Sequence, residues 1–176
     1  MIAHIRRLSA PEAESHLDDL ADVLADCVSG GAGVGFVLPF SKDDAKAWWR
    51  SIVPGVASGE RLLFAAFEGD DLVGTVQLCP AGMPNQTHRA DIAKMLVHSR
   101  ARRKGIGAAL MKAAEAHARS MGRFVLVLDT VTTSDARRLY ERLGWQVAGP
   151  VPRFARSPQG GWDDTLFMWK ALDDGA

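Results

Sequence analysis

Residues 97–108 carry the pattern with the clearest chemical meaning in this sequence. Two glycines stand there with one residue between them, Gly105 and Gly107. Four cations precede them: Arg100, Arg102, Arg103 and Lys104. Glycine lets backbone N–H groups come close to a ligand, and a helix that begins here adds unpaired donors and the positive end of its dipole. The pattern therefore predicts a binding site for phosphate or pyrophosphate.

The two commonest nucleotide-binding loops do not match this segment. No G-K-S/T sequence follows the glycines, and Leu110 occupies the place of the third glycine in G-x-G-x-x-G. The structural alternative is a basic turn whose glycines serve only packing. The coincidence of the cations with a strand–turn–helix order favours the phosphate site.

The elements that must position this loop follow from the spacing of apolar residues. Strands are predicted at residues 2–8, 61–67, 72–78, 89–97, 124–128, 146–151 and 165–170. Helices are predicted at residues 11–28, from Ser41 to an interruption at residues 54–55, at residues 105–121, and from Thr133 or Ser134 to Gly144. The apolar run 124–128 predicts a strand buried on both faces, and residues 152–164 predict a loop. We expect one domain over residues 1–176, of the α/β (α+β) class, with a mixed, largely antiparallel sheet of about seven strands flanked by about four helices.

Composition narrows the possible partners and compartment. The chain has 176 residues, 47% of them apolar, and 21 basic against 21 acidic residues, so its formal net charge is zero. A balanced charge gives little attraction to nucleic acid or an anionic membrane. Its two cysteines, Cys27 and Cys79, lack disulfide or zinc spacing. Without an apolar run for a signal peptide or a membrane span, we expect a soluble, cytoplasmic protein.

Two segments resemble motifs of one enzyme family. Residues 102–107 resemble motif A of the GNAT N-acetyltransferases, whose pattern Q/R-x-x-G-x-G/A is matched by Arg102 and the two glycines. Residues 134–145 are similar to the family's N-x-x-A-x-x-L/F-Y-x-x-x-G-F/W, with Ser134 where Asn is common. The predicted element order is similar over essentially the whole chain. Within the family, residues 30–36 and 90–97 most resemble the tabtoxin-resistance acetyltransferases.

The resemblance implies a cosubstrate and the residues that hold it. An N-acetyltransferase of this family moves the acetyl group of acetyl-CoA to a primary amine by direct attack in a ternary complex. Backbone N–H groups of residues 103–108 would bind the pyrophosphate, and the pantetheine arm would pair with a strand edge, its thioester carbonyl meeting an N–H near Leu96. The implied cofactor-binding residues are Met95, Leu96, Val97, Arg102, Arg103, Lys104, Gly105, Ile106, Gly107, Ala108, Thr130, Ser134 and Tyr140. No metal is implied, and the five histidines share no metal spacing.

Three side chains are candidates for proton transfer. The later motif places Tyr140 beside the sulfur as general acid; a thiol near pKa ~8.5 and a phenol near ~10 make that transfer close to balanced. Asp91 and Asp129 are candidate bases for an amine that is mostly ammonium at neutral pH. Their structural alternatives are a core tyrosine, a solvated strand residue and a loop cap.

The acceptor is the least determined feature of the sequence. In this family the connection that residues 30–35 form lines the acceptor pocket, which makes Val34 and Phe36 candidate contacts, although a flexible linker explains the glycines equally well. Arg153 and Arg156, beside Phe154, suit a carboxylate on a small amine, whose ammonium Asp91 or Asp129 would bind. A solvated loop is the alternative. A protein N-terminal or lysine acetyltransferase, a non-catalytic CoA-binding module and an ATP-binding protein also remain open, as does the choice between monomer and homodimer.

Overall fold

The computed structural model describes residues 3–172, so the first predicted strand position, Ile2, lies outside the described residues. The strands are β1 (His4–Leu8), β2 (Leu62–Glu68), β3 (Asp71–Pro80), β4 (Arg89–Val97), β5 (Val125–Val131), β6 (Gln146–Arg156) and β7 (Trp162–Ala171). The helices are α1 (Ala10–Ser15), α2 (Leu17–Ser29), α3 (Lys42–Ser58), α4 (Ile106–Ser120) and α5 (Asp135–Arg142). Short 3₁₀ turns lie at Pro84–Gln86 and Ser99–Ala101.

All seven strands form one sheet in the order β1-β2-β3-β4-β5-β7-β6. Every neighbouring pair is antiparallel except β4 and β5, which confirms the mixed, largely antiparallel sheet. The parallel pair is short: only Arg89–Asp91 face Val125–Val127. Beyond these residues the two strands no longer pair with each other, so a gap opens between them.

The helices cover the two faces of this sheet. One apolar cluster joins α1, α2 and α3 to the sheet, and Trp49 and Leu24 are almost fully buried in it. The other cluster joins α4 and α5 to the opposite face through residues such as Leu110 and Tyr140. The N-terminus of α4 and the whole of α5 are thereby placed beside the gap between β4 and β5.

The first predicted helix is two helices. Ser9 and Glu12 form a capping box that begins α1 at Ala10, and the chain leaves helical geometry at His16, with φ −101° and ψ 17°. The break lets α2 bury a full apolar face, whereas α1 buries only Ala13. Periodicity alone does not show a change of axis, because both segments keep the same apolar spacing.

The predicted interruption at Pro54 is wrong, because α3 continues through it to Ser58. A proline inside a helix costs about 3 kcal/mol. The helix is fixed at both ends, by a Ser41–Asp44 capping box and by Gly59 in the left-handed region at φ +84°. Burial of Trp49 and Ile52 on the turn before the proline offsets the remaining cost.

The predicted loop at residues 152–164 is also wrong over most of its length. β6 continues to Arg156 and β7 begins at Trp162, and a register shift between Val151 and Ala155 lets the strand pass Pro152. β6 is the edge strand, where a missing backbone donor is tolerated. Arg153, at φ +51°, donates its backbone N–H to Asp164 at 2.8 Å within this irregular stretch.

The prediction that both faces of residues 124–128 are buried is wrong, since Phe124 is exposed and Val125 and Val127 are only partly buried. Across residues 3–172, no helix combines the length and apolarity that crossing a membrane requires.

Candidate active site

A cleft of about 910 Å³ opens where β4 and β5 part. Its walls come from the second half of β4, from β5, from the start of α4, from α5, from the α2–α3 connection and from β6. The gap between the strands therefore passes through the sheet, and chemistry inside it can be reached from both faces.

The loop before α4 provides one end of this cleft. Arg103 and Gly105 both have left-handed backbone geometry, with φ of +66° and +80°, and α4 begins at Ile106. Within the described part of the chain, the backbone N–H groups of residues 103–108 make no hydrogen bond, and the first helical bond returns from Ala109 to Gly105. A row of unpaired donors at a helix start is suited to an anion such as a pyrophosphate. The residues present thus fit the group that the sequence predicts.

The four predicted cations are not equivalent. Lys104 binds Glu68 at 3.0 Å and Arg100 lies 3.8 Å from Asp71; neither lines the cleft. Arg102 does line it, and its Nε donates to the carbonyl of Val97 at 3.1 Å. Its guanidinium also lies 3.9 Å from Asp26. Arg103 lines the cleft and forms no ion pair with another residue of 3–172.

A further cation, Arg142, reaches the same cleft from the last turn of α5. Sequence reasoning missed it, because Arg142 belongs to no motif and only the turn of α5 brings it to the same side as the lining residue Leu139. Arg103 and Arg142 are therefore the cations best placed for a phosphate group.

Gly107 has a role beyond close approach to a ligand. A Cβ at this position would lie 2.9 Å from Leu139 Cδ2 and 3.5 Å from Met95 Sδ. The glycine lets α5 pack against the start of α4. Gly105 differs, since a Cβ there would meet nothing within 4 Å, and only its backbone geometry requires glycine.

The edge of β4 that the gap exposes carries the predicted pantetheine strand. Met95, Leu96 and Val97 all line the cleft. The carbonyl of Val97 already accepts from Cys27 Sγ at 3.5 Å and from Arg102 Nε at 3.1 Å. The backbone before Val97 is therefore the part of this edge that remains suited to pair with a ligand.

Tyr140 lies in the middle of the cleft wall on α5. It is only 5% exposed and packs beside Trp145, yet it lines the cleft, so it is both a core residue and a cleft residue. Burial raises the pKa of the Tyr140 hydroxyl well above its usual range, and the charge of nearby Asp129 raises it further. The hydroxyl makes no hydrogen bond with any described residue, which leaves it available to a ligand.

Polar contacts hold α5, and Tyr140 with it, at both ends. Ser134 caps the first turn by accepting from the N–H of Arg137, and its hydroxyl lies 2.8 Å from that of Thr130. At the other end, Lys170 Nζ donates to the carbonyl of Leu143 at 2.6 Å and to buried Glu115 at 2.7 Å. The side chains of Ser134 and Thr130 are thus engaged in this cap, although both residues line the cleft.

The two candidate bases occupy different surroundings. Asp129 lies two residues beyond the part of β5 that pairs with β4, and it lines the cleft. Thr165 Oγ1 donates a hydrogen bond to its carboxylate at 3.4 Å. Asp91 does not line the cleft; its carboxylate accepts from Arg89 at 2.6 Å. The structure therefore brings Tyr140 and Asp129 together and leaves Asp91 apart.

The acceptor end of the cleft includes some of the predicted residues. Val34 and Phe154 line it, whereas Phe36 and Arg153 do not. Arg156 lines it and lies 5.4 Å from the centroid of Trp162. Lys94, on β4, also lines this end and was not predicted, because in sequence it is one of three charged residues of the strand and belongs to no motif.

Among residues 3–172, no three His, Cys, Asp or Glu side chains come together as a metal site. Both cysteines are free, and burial raises their thiol pKa values. The titratable groups that line the cleft include Tyr140, Asp129 and the cations described above, together with Asp135, Asp163 and Cys27.

Comparisons with known proteins agree with this arrangement. A family model described as the acetyltransferase (GNAT) family matches residues 17–145. Among solved structures, yncA, a putative acetyltransferase from Salmonella typhimurium solved with acetyl-CoA, superposes with a TM-score of 0.79 at 20% identity, covering 100% of this chain and 97% of that one. A phosphinothricin acetyltransferase from Sinorhizobium meliloti, in complex with AcCoA, gives 0.80 at 19% identity, with coverages of 100% and 91%.

A third solved structure, a ribosomal-protein-alanine N-acetyltransferase from Brucella melitensis, gives a TM-score of 0.77 at 21% identity, covering 96% of this chain and 99% of that one. At such identities the solved structures show a shared fold. Their named acceptors differ in kind, so fold similarity alone does not choose between acceptors.

Proposed function

The chain belongs to the acetyltransferase (GNAT) family, and from that premise we propose that this acetyl-CoA-dependent enzyme acetylates the primary amine of a small molecule. The observation that carries the proposal is the cleft itself, which brings a row of N–H groups and a phenol, none of them hydrogen-bonded to a described residue, into one space with a carboxylate. These are the groups that binding a CoA pyrophosphate, protonating a thiolate and deprotonating an amine require.

Each group in the cleft has a separate role in this reaction. Acetyl-CoA, when bound, supplies the acetyl thioester. The N–H groups of residues 103–108, with Arg103 and Arg142 nearby, bind its phosphates, and the free edge of β4 aligns its pantetheine arm. Asp129 accepts a proton from the incoming ammonium, directly or through water, and the neutral amine nitrogen then forms a bond to the thioester carbonyl carbon. Tyr140 donates its hydroxyl hydrogen to the sulfur as the C–S bond breaks.

The raised pKa of Tyr140 changes one detail of this chemistry. The sequence suggested a nearly balanced transfer between phenol and thiolate, but burial makes the phenol a weaker acid than a solvated one. It is fully protonated at neutral pH, so it is always ready to donate. We propose that it stabilises the thiolate mainly as a hydrogen-bond donor, and that the sulfur takes up its proton through Tyr140, which regains one from solvent.

Two arguments support a small acceptor over a protein. The acceptor end is concave, with walls from the α2–α3 connection, β5 and β6, and it contains charged side chains of both signs. Concave sites with a few placed polar groups are typical of small-molecule binding. Screening an amine library and a set of N-terminal and lysine peptides for acetyl-CoA-dependent thiol release tests the proposal; turnover confined to the peptides would contradict it.

A substitution at Gly105 tests the phosphate end. Gly105→Val should weaken acetyl-CoA binding by at least about 10-fold, because a β-branched residue does not hold φ near +80° and the loop would rotate its N–H groups away from the ligand. Isothermal titration calorimetry with acetyl-CoA measures the effect.

Gly59→Val is the matched control for this change. Gly59 also has left-handed geometry, at φ +84°, and a Cβ there also meets nothing within 4 Å, but it caps α3 and does not line the cleft. Both variants should lose similar thermal stability, and only the Gly105 variant should lose affinity. Equal affinity for acetyl-CoA in both folded variants would remove the phosphate assignment.

Several finer expectations remain proposals. A special likeness to the tabtoxin-resistance acetyltransferases, a cytoplasmic location and a monomeric or homodimeric state rest on the sequence alone. So do roles for Asp91, Lys104, Phe36 and Arg153, which lie outside the cleft lining. Arg156, by contrast, lines the cleft and stays a candidate for an acceptor carboxylate.

A further inference from the structure

Lys94 stands at an irregular point of β4. The pairing of β3 with β4 shifts register between Thr75 and Gln77, and Lys94, opposite this shift, has φ +49°, a left-handed geometry that is unusual for a lysine. Thr75 Oγ1 donates to the carbonyl of Lys94 at 3.0 Å and holds this conformation. A β-bulge redirects the side chain that it carries, and here the Lys94 side chain lines the cleft.

Aromatic rings flank the ammonium group. Its Nζ lies 5.0 Å from the ring centroid of Trp48 and 5.7 Å from that of Phe36. Attraction to ring faces at such distances keeps a cation in place without neutralising its charge. Gly35 leaves the space beside the ammonium open, since even a Cβ at that position would lie 3.8 Å from Nζ.

The surroundings of Lys94 do not balance its charge. With the described residues, Nζ forms neither a hydrogen bond nor a salt bridge; the hydrogen bond that Lys94 does make uses its carbonyl oxygen. Burial is the main cause that lowers the pKa of Lys94, and the charge of Arg61 lowers it further, against smaller opposing effects of Asp129 and Cys79. Arg61 itself binds the neutral Gln77, at 3.1 Å.

We infer that Lys94 binds an oxyanion, a carboxylate in the first instance, on the acceptor, so that the enzyme acts on amines that also carry a negative charge. The inference rests on the proposed function, because it places the acceptor in the same cleft. A partly buried cation that the described residues leave unpaired is unfavourable, and an arriving anion lowers that cost. Asp129 on the neighbouring strand then meets the ammonium end, so the two ends of the pocket match a zwitterion.

The test compares amino acids with their own C-terminal amides. The two substrates of each pair share the side chain and differ in the negative charge, and kcat/KM is measured for both at fixed acetyl-CoA. Wild-type enzyme should prefer the acid form. In Lys94→Met, which keeps the aliphatic stem, the acid-to-amide ratio of kcat/KM should fall roughly 10- to 100-fold, while KM for acetyl-CoA stays the same.

Three further variants separate charge from structure. Lys94→Arg should retain most of the preference, because it keeps the cation. Lys112→Met, on the exposed side of α4, should behave as wild type. Arg156→Ala tests the competing site: if it loses the acid preference while Lys94→Met keeps it, the anion site is the β6 arginine and the inference is overturned.

Three results would contradict the assignment in distinguishable ways. Equal use of acids and amides by the wild-type enzyme would overturn the Lys94 inference and leave the proposed function standing. Acetyl-CoA binding without acetylation of any amine would overturn the proposed function and the inference together. Acetylation of Lys94 itself, detected by mass spectrometry after incubation with acetyl-CoA, would make it an acceptor and overturn its role as an anion site.

Discussion

Tyr140→Phe should lower kcat by about 100-fold or more, with little change in the affinity for acetyl-CoA. The substitution removes one hydroxyl and keeps the ring, so the packing of α5 against Trp145 is preserved. Pre-steady-state measurement of thiol release, with thermal unfolding and calorimetric binding on the same sample, separates a chemical defect from a structural one.

The magnitude distinguishes two roles for this tyrosine. A residue that serves only the core would show a shifted unfolding temperature and normal turnover. A hydroxyl that donates to the departing sulfur would show normal stability and a loss of turnover that diminishes with acyl donors whose thiols have lower pKa values, because a better leaving group needs less help. If the folded Phe variant turned over at the wild-type rate, we would conclude that water, and not Tyr140, protonates the thiolate.

Asp129→Asn is the second change for which a large effect is expected, about 100-fold or more in kcat/KM at neutral pH. The amide keeps the size of the side chain and cannot take a proton from the ammonium. An alkyl amine titrates near ~10, so raising the pH supplies more neutral acceptor. The loss should therefore shrink steadily as the pH rises from neutrality towards the pKa of the amine, a trend that a purely structural defect would not produce.

Asp91→Asn is its matched control. Both residues were candidate bases from the sequence, but Asp91 accepts from Arg89 and lies outside the cleft lining. Its variant should keep near wild-type kcat/KM at every pH. If the Asp91 variant shows the pH-dependent loss and the Asp129 variant does not, the assignment of the base is reversed.

The outline of the fold could be predicted because each of its signals is local. β4 is predicted at its observed bounds, since its apolar residues end where the basic loop begins, and Ser41 is a cap that its own neighbour Asp44 completes. The failures share a different cause. The continuation of α3 through Pro54 and the length of β6 depend on packing and edge position, which no local window of sequence contains.

The residues of the candidate site also differ in whether a local sequence pattern predicts them. Gly105 and Tyr140 stand in recognisable patterns, and the structure places both on the cleft. Lys94 and Arg142 stand in none, because each reaches the cleft through geometry: a register shift in β4 for the first and the turn of α5 for the second. Lys104 shows the converse, since its position in the basic cluster suggested phosphate contact while Glu68, 36 residues earlier, binds its ammonium.

The three-residue pairing of β4 with β5 has a consequence for how the molecule opens. One block consists of β1 to β4 with α4, and another of β5 to β7 with α5. The backbone seam between them has three paired positions, and it is also crossed by the apolar cluster under α4 and by contacts such as those of Glu115 with Lys170 and Trp145 and of Arg119 with the carbonyl of Leu172. A short seam of this kind is a natural place for sub-global opening. A ligand that lies along it touches both blocks, so amide hydrogen exchange should slow on both sides at once when the cosubstrate binds, including at positions that never meet it.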